Sequence, residues 1–343
     1  MQIDMHYGAI YYLATLAKIN ENEAQIIAYA SQFVDDAEFG GTVQFCDGDG
    51  CICSNSAHKY LSDNLSAHAR LVWIPYHFIP EPTRQGTFLE KLKCVKDNNL
   101  ARSAVDEAIK EKDDDIRPFR FGVALHAYAD TWSHYDFSGI ASDTNLVKNV
   151  RPLNVSQNSY EWCLTKVGNF AGWIRKKYMN PIGHLFAEHC PDVPYLEWQY
   201  TVVGSDRPAQ KRVNLKDFQA ALERIYAYML EYAGAHSDAG IPEDHKKDFD
   251  RLLSAKEDNG KKRLAMWEQA YKDQFKKQMP EYKKGIWMND SFGKAWKKDV
   301  CLCLDGTTCA DFKKSNYWRF CQALSKHGIY VEDQLAAHDI RLM

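Results

Sequence analysis

The chain has 343 residues, 45% hydrophobic and 13% aromatic, enough to bury one large core or two smaller ones. Charged residues make up 26% and leave a net charge of -3, so no basic excess marks a binder of duplex DNA. No stretch approaches ~20 uninterrupted apolar residues, which argues against a membrane-spanning helix.

Apolar positions recur at helical spacing over residues 7–34 (Ile10, Leu13, Leu16, then Ile26, Ile27, Ala30 and Val34). The Asn20-Glu21-Asn22 break divides them, with Asn22 as the expected N-cap. Residues 38–56 are rich in Gly, Asp, Cys and Ser and read as a loop. Leu71 to Ile79 is either extended or a short helix, because Pro75, Pro80 and Pro82 limit regular structure there. Helical spacing returns from Thr87 to Lys112, and Pro118 opens a strongly apolar helix ending near Trp132. A further long helix is expected over 157–190, broken at Pro181-Ile182-Gly183, with others over Leu215–Ala233 and about Pro242–Lys277. Strand signals are scarce. The expectation is therefore an all-α multi-helix bundle, with residues 1–240 as a helical metal-binding catalytic domain. Residues 241–343 would be a helical C-terminal extension packed on it.

The start, Met1-Gln2-Ile3-Asp4-Met5-His6, lacks the basic-then-apolar pattern of a secretory signal. A cytoplasmic location is expected if Met1 is the natural start; a secreted protein beginning at its mature end would read the same. Ten cysteines include Cys46, Cys51 and Cys53 in one Gly/Asp-rich stretch and Cys301, Cys303 and Cys309 in another. Neither group has CxxC spacing, so free thiols with one or two local disulfides are expected.

The chemistry concentrates in Phe121-Gly-Val-Ala-Leu-His126-Ala-Tyr-Ala-Asp130-Thr-Trp-Ser-His134. On a helix His126, Asp130 and His134 lie four apart on one stripe, about 6 Å of rise between neighbours. Leu125, Ala127, Ala129 and Trp132 make this helix apolar nearly all round, and three buried ionisable groups need partners that a metal ion could supply at once. Imidazole mixed with carboxylate suits zinc, with iron or manganese as alternatives. His184 and Glu188 form a second i, i+4 pair. Weaker candidates are Asp4 and His6 before the first helix, Asp35-Asp36 ending the next, and His77 in Trp73-Ile-Pro-Tyr-His77-Phe.

The order of these residues (an early His, an Asp at a helix end, His-Phe, HxxxD followed by a third His, then HxxxE) resembles the zinc-dependent phospholipase C and single-strand-specific zinc nuclease superfamily. The likeness is strongest at Ala124–His134, points to an uncharacterised bacterial branch, and covers about residues 1–200. The resemblance implies a helical bundle with two or three zinc ions in a cleft and cleavage of a phosphodiester, lipid or nucleic acid. It further implies one ion on Asp35 or Asp36, His77, His126 and Asp130, and a second on His134, His184 and Glu188. A third would sit on His6 and a bridging oxygen of Asp130. Secreted relatives complete that third site with an N-terminal Trp. No Trp is present here, so Asp4 is the expected substitute. Whichever of Asp35 and Asp36 is not a ligand would serve as general base to a metal-activated water.

Aromatic residues near these motifs (Tyr7, Tyr11, Tyr12, Tyr76, Phe78, Trp132, Tyr135, Phe137) could stack bases or line a lipid cleft. The competing reading is a non-catalytic helical protein with a structural metal, whose Lys/Trp-rich C-terminal region binds a partner.

Overall fold

The structure, a computed structural model, describes residues 1–58, 69–155, 181–206, 208–236, 238–293, 301–304 and 306–342. At its centre is a helix, Arg117–His134, in which every residue from Phe121 to His134 is buried. So complete a burial follows from the sequence, whose imidazole and carboxylate positions here are few and lie on the single His126/Asp130/His134 stripe. Five further helices precede or flank it: α1 (Ile10–Leu16), α2 (Glu21–Asp36), α3 (Ala69–Tyr76), α4 (Phe88–Lys91) and α5 (Asn99–Ile109), so the central helix is α6. Residues Asp4–Ala9 form a π-helical turn leading into α1. The N-cap of α2 is Asn20, whose side chain accepts from the Glu23 amide at 3.0 Å, rather than Asn22.

Helix α2 crosses α6 at Gly122, where an added Cβ would stand 2.4 Å from the Ile27 carbonyl oxygen and 2.8 Å from the Ala30 Cβ. This close approach sets the end of α2, with Asp35 on it, beside His126. Six further helices follow among the described residues: α7 (Asn214–Tyr232), α8 (Glu243–Ser254), α9 (Gly260–Phe275), α10 (Ile286–Phe292), α11 (Cys309–Phe312) and α12 (Asn316–Ala336). Their apolar faces join one continuous core with α1, α2, α5 and α6, including Phe249, Trp267, Trp287 and Phe320.

The expectation of an all-α fold is wrong. Six strands form two three-stranded sheets among the described residues, so the fold mixes helix and sheet. The stretch read as a loop contains the hairpin of β1 (Gly41–Phe45) and β2 (Gly50–Cys53), and β6 (Cys301–Leu304) pairs parallel to β1 on its other side. In the second sheet, β3 (Val147–Pro152), β4 (Glu197–Val202) and β5 (Gln210–Val213) are antiparallel, in that order. Its inner face, with Val147, Trp198 and Tyr200, packs on Phe78, Phe137 and Ala187 in a second small core. That core lies directly behind His134 and His184.

The helix expected over 157–190 falls outside the described residues up to position 180, and 183–189 run as turns. Cys46, Cys51, Cys53, Cys94, Cys309 and Cys321 are free thiols, with Cys51 and Cys53 sulfurs 4.0 Å apart; Cys163 lies outside the described residues. Tyr7, Tyr11 and Tyr12 are core residues packed among Tyr271, Tyr282 and Trp267, not cleft walls. Among the described residues no helix is long and apolar enough to cross a membrane.

Candidate metal centre

The stripe on α6 meets side chains from four other segments. Asp130, 1% exposed, is the hub. Its Oδ1 lies 3.1 Å from His6 Nε2 and 2.5 Å from the Met1 amine, and its Oδ2 lies 3.1 Å from His77 Nδ1 and 3.3 Å from His126 Nε2. The side chain thus presents one oxygen to each of two neighbouring groups. Asp35, at the end of α2, reaches within 3.7 Å of His126 Nε2 and 3.9 Å of His77 Nδ1. A third group is centred on Asp192, whose Oδ1 lies 3.5 Å from His134 Nε2 and whose Oδ2 lies 3.7 Å from His184 Nε2.

Three sets of donor atoms, each mutually within 4.8 Å, result: His6/His126/Asp130, Asp35/His77/His126 and His134/His184/Asp192. Ligands about 2.0–2.2 Å from one zinc ion would draw each set in by an ångström or so. The imidazole tautomers suit that use. His77 Nε2 is 2.9 Å from the Ser56 carbonyl, His134 Nδ1 is 2.9 Å from the His77 carbonyl, and His184 Nδ1 is 2.8 Å from the Glu188 carbonyl. A ring that gives its proton to a carbonyl turns the lone pair of its other nitrogen toward the carboxylates, the arrangement that orients metal-binding histidines. His6 and His126 stack face to face, 3.9 Å between centroids, and the Nδ1 atom of each is buried without a hydrogen-bond partner. Phe78 stacks on the His134 ring at 4.7 Å.

The electrostatics agree. Burial, with the neighbouring His126, pushes the His6 pKa down to about 4. Burial likewise takes His184 down to about 4, against the opposing pull of Asp192. Both rings are therefore neutral near pH 7 with lone pairs available. Burial alone would raise the carboxyl of Asp130, but His134, the Met1 amine, His126 and His6 outweigh it and hold it well below the usual range. Asp192 is held low in the same way by the amine, His184 and His134. His77 goes up: burial opposes, but the hydrogen bond and charge of Asp130, with Asp35 behind it, prevail. The pocket attracts positive charge, carried by a proton or by a metal ion.

Several expected residues stand elsewhere. Asp4 is not at the centre: its carboxylate accepts from Arg263 Nε at 2.7 Å and Nη2 at 3.1 Å, and the Met1 amine occupies the position by His6 and Asp130 expected of it. Asp36 turns away from the centre. Lys284 Nζ is 2.8 Å from its Oδ1 and the Tyr282 hydroxyl donates to its Oδ2 at 2.7 Å, and it belongs to none of the three donor sets. His184 and Glu188 do not share a helix, because Gly183 (φ 54°) and Glu188 (φ 53°) both adopt left-handed backbone. His184 meets the Glu188 main chain, and the nearby carboxylate is that of Asp192. A helix continued through 184–192 would have pointed Asp192 elsewhere; the break at Gly183 and the Pro191 turn bring it in.

The centre reaches solvent at Asp35, 32% exposed. Met1 and Asp192 also border a cleft of about 550 Å³, lined further by His189 and Lys261. No curated protein and no solved structure matches the chain. Residues 1–335 match a family of unknown function, DUF6765, and the chain belongs to that family.

Proposed function

We propose that the protein is a metal-dependent phosphoesterase, with zinc as the metal, that hydrolyses a phosphodiester of a lipid or a nucleic acid. The observation that carries the reading is the sharing of ligand sets. His126 belongs to two of the donor sets, Asp130 turns its second oxygen to His77 of the neighbouring set, and a third set stands alongside through His134. A structural zinc is usually closed by four protein ligands of its own. Overlapping, incomplete sets suit a multinuclear site with positions left for water and substrate. The order of residues along the chain, which resembles the zinc phospholipase C and nuclease superfamily, supports the same chemistry.

Asp35, His77, His126 and Asp130 would hold one ion, and His134, His184 and Asp192 a second. His6 and the other oxygen of Asp130 would hold a third. Bound there, close cations lower the pKa of water toward neutrality and offset the charge of a phosphate. The protein's own groups do the rest. Asp130 fixes the spacing of the sets by offering one oxygen to each side. The carbonyls of Ser56, His77 and Glu188 hold three imidazoles in the tautomer that faces the carboxylates. With Asp36 engaged by Lys284 and Tyr282, Asp35 would take both roles, its Oδ1 facing His77 and His126 as a ligand and its Oδ2 accepting a proton from attacking water at the open side.

The test is hydrolysis of bis(p-nitrophenyl) phosphate, then of phosphatidylcholine micelles and single-stranded DNA, before and after chelation. Turnover that disappears with chelator and returns with zinc is expected. Absence of turnover on all three substrates by fully zinc-loaded protein would overturn the assignment in favour of a structural metal.

A further inference from the structure

The donor sets differ in how they are built. The one around Asp35, His77, His126 and Asp130 hangs on α2, α6 and the end of α3, whose own hydrogen bonds hold it. His184 and Asp192 instead stand on turns over 183–189 and a single 3-10 turn, Cys190–Asp192. Such backbone keeps one shape only if other groups satisfy its carbonyls. Two fully buried asparagines do so. Asn214, 1% exposed, donates Nδ2 to the Cys190 carbonyl at 2.6 Å and the Val193 carbonyl at 2.8 Å, spanning the turn that carries Asp192. Its Oδ1 accepts from Trp198 Nε1 at 3.0 Å, which fixes the amide so that both N–H bonds face the turn. Asn145, 0% exposed, approaches the carbonyls of Ile140, Ser138 and Pro181 with Nδ2 at 2.8, 3.1 and 3.2 Å and accepts from the Ser138 amide. It ties the segment before His184 to the one after α6, where the Gly183 amide also donates to the Ser138 carbonyl at 3.0 Å.

We propose that Asn145 and Asn214 are positioning residues of the His134/His184/Asp192 set: by clamping the turns that bear His184 and Asp192, they set the affinity of that set for its metal ion without touching the ion. The claim rests on the metal reading above. Neither residue contacts the Asp35/His77/His126/Asp130 set, so the two sets should respond differently. Side chains that orient ligands from behind typically govern affinity by 10–100-fold.

Zinc titration of the metal-free full chain against a competing chromophoric chelator reads this without any turnover assay. Asp192→Asn and Asp35→Asn serve as references for loss at either set. Asn214→Ala should weaken the ion lost in Asp192→Asn by about 10–100-fold and leave the ion lost in Asp35→Asn unchanged. Asn145→Ala, acting on a separate turn, should do the same, and decides the matter if Asn214→Ala does not fold. Two unchanged affinities, or two weakened by the same factor, would overturn the inference, the latter because a general structural role affects both sets alike. Wild-type protein that binds fewer than two ions would instead remove the metal reading and this inference with it.

Discussion

Asp4 tests the difference between a ligand and a buried ion pair. Asp4 and Arg263 are 1% and 2% exposed, and the guanidinium also donates to the Gln2 side chain and the Glu257 carbonyl, both at 2.9 Å. Asp4→Asn removes the charge while keeping the shape and one acceptor. It leaves Arg263 buried without its counter-charge, which costs about 3–5 kcal/mol. Unfolding entropy of about 2.1 cal/mol/K per residue over the chain converts this to a melting temperature lower by roughly 4–7 °C. Replacing both partners, Asp4→Leu with Arg263→Met, should recover most of the loss, because no buried charge then stands alone. Thermal melts beside zinc content on the same samples make the assay. Zinc content should match wild type in all folded variants. An Asp4→Asn protein that melts like wild type but has lost an ion would show that Asp4 is a ligand and refute this account of the N-terminal segment.

Two further expectations concern the scaffold. His327, 2% exposed with Nε2 3.0 Å from the Pro75 carbonyl, has its pKa pushed down by burial to about 4. Unfolding returns it to about 6.5, so the folded state binds fewer protons between those values. The stability this neutral ring allows is present above pH 6.5 and falls away toward pH 4, by on the order of 3 kcal/mol. Urea titrations of His327→Gln should show a shallower pH dependence across that window, and parallel curves for the two proteins would contradict it. Gly122→Ala forces a methyl against α2 at the Ile27 carbonyl. The overpacking should cost about 1–3 kcal/mol and, by moving Asp35 from His126, weaken zinc at that set; a variant with wild-type stability and zinc affinity would show the helix crossing to be loose.

Where the sequence was informative, it was so for a physical reason. The His126/Asp130/His134 stripe stands out because it interrupts an otherwise apolar helix, and α6 forms over nearly the expected residues. His6 and His77 were weaker signals, each a lone histidine by an apolar segment, and only tertiary packing brings them to Asp130. Asp192 gives no such signal, because a helix continued from His184 past Pro191 would face it away from His184. Asp36 looked equivalent to Asp35, yet one step of helix rotation hands it to Lys284 and Tyr282, far along the chain. The strands were missed because they are short: Gly50–Cys53 sits among turn residues, and Val147–Pro152 carries exposed Lys148 and Arg151 that mask its alternation. Asn145 and Asn214 carry no local signal at all, since an asparagine in a loop or opening a helix ordinarily reads as a turn residue or a cap.

Metal content bears most directly on the central claim, measured by elemental analysis of purified wild type beside Asp130→Asn. The account predicts two or three zinc ions per wild-type chain, with at least one lost when the Asp130 carboxylate that faces His6, His77 and His126 becomes an amide. A wild-type protein that takes up no metal after zinc is supplied, or an Asp130→Asn protein with the full complement, would contradict it.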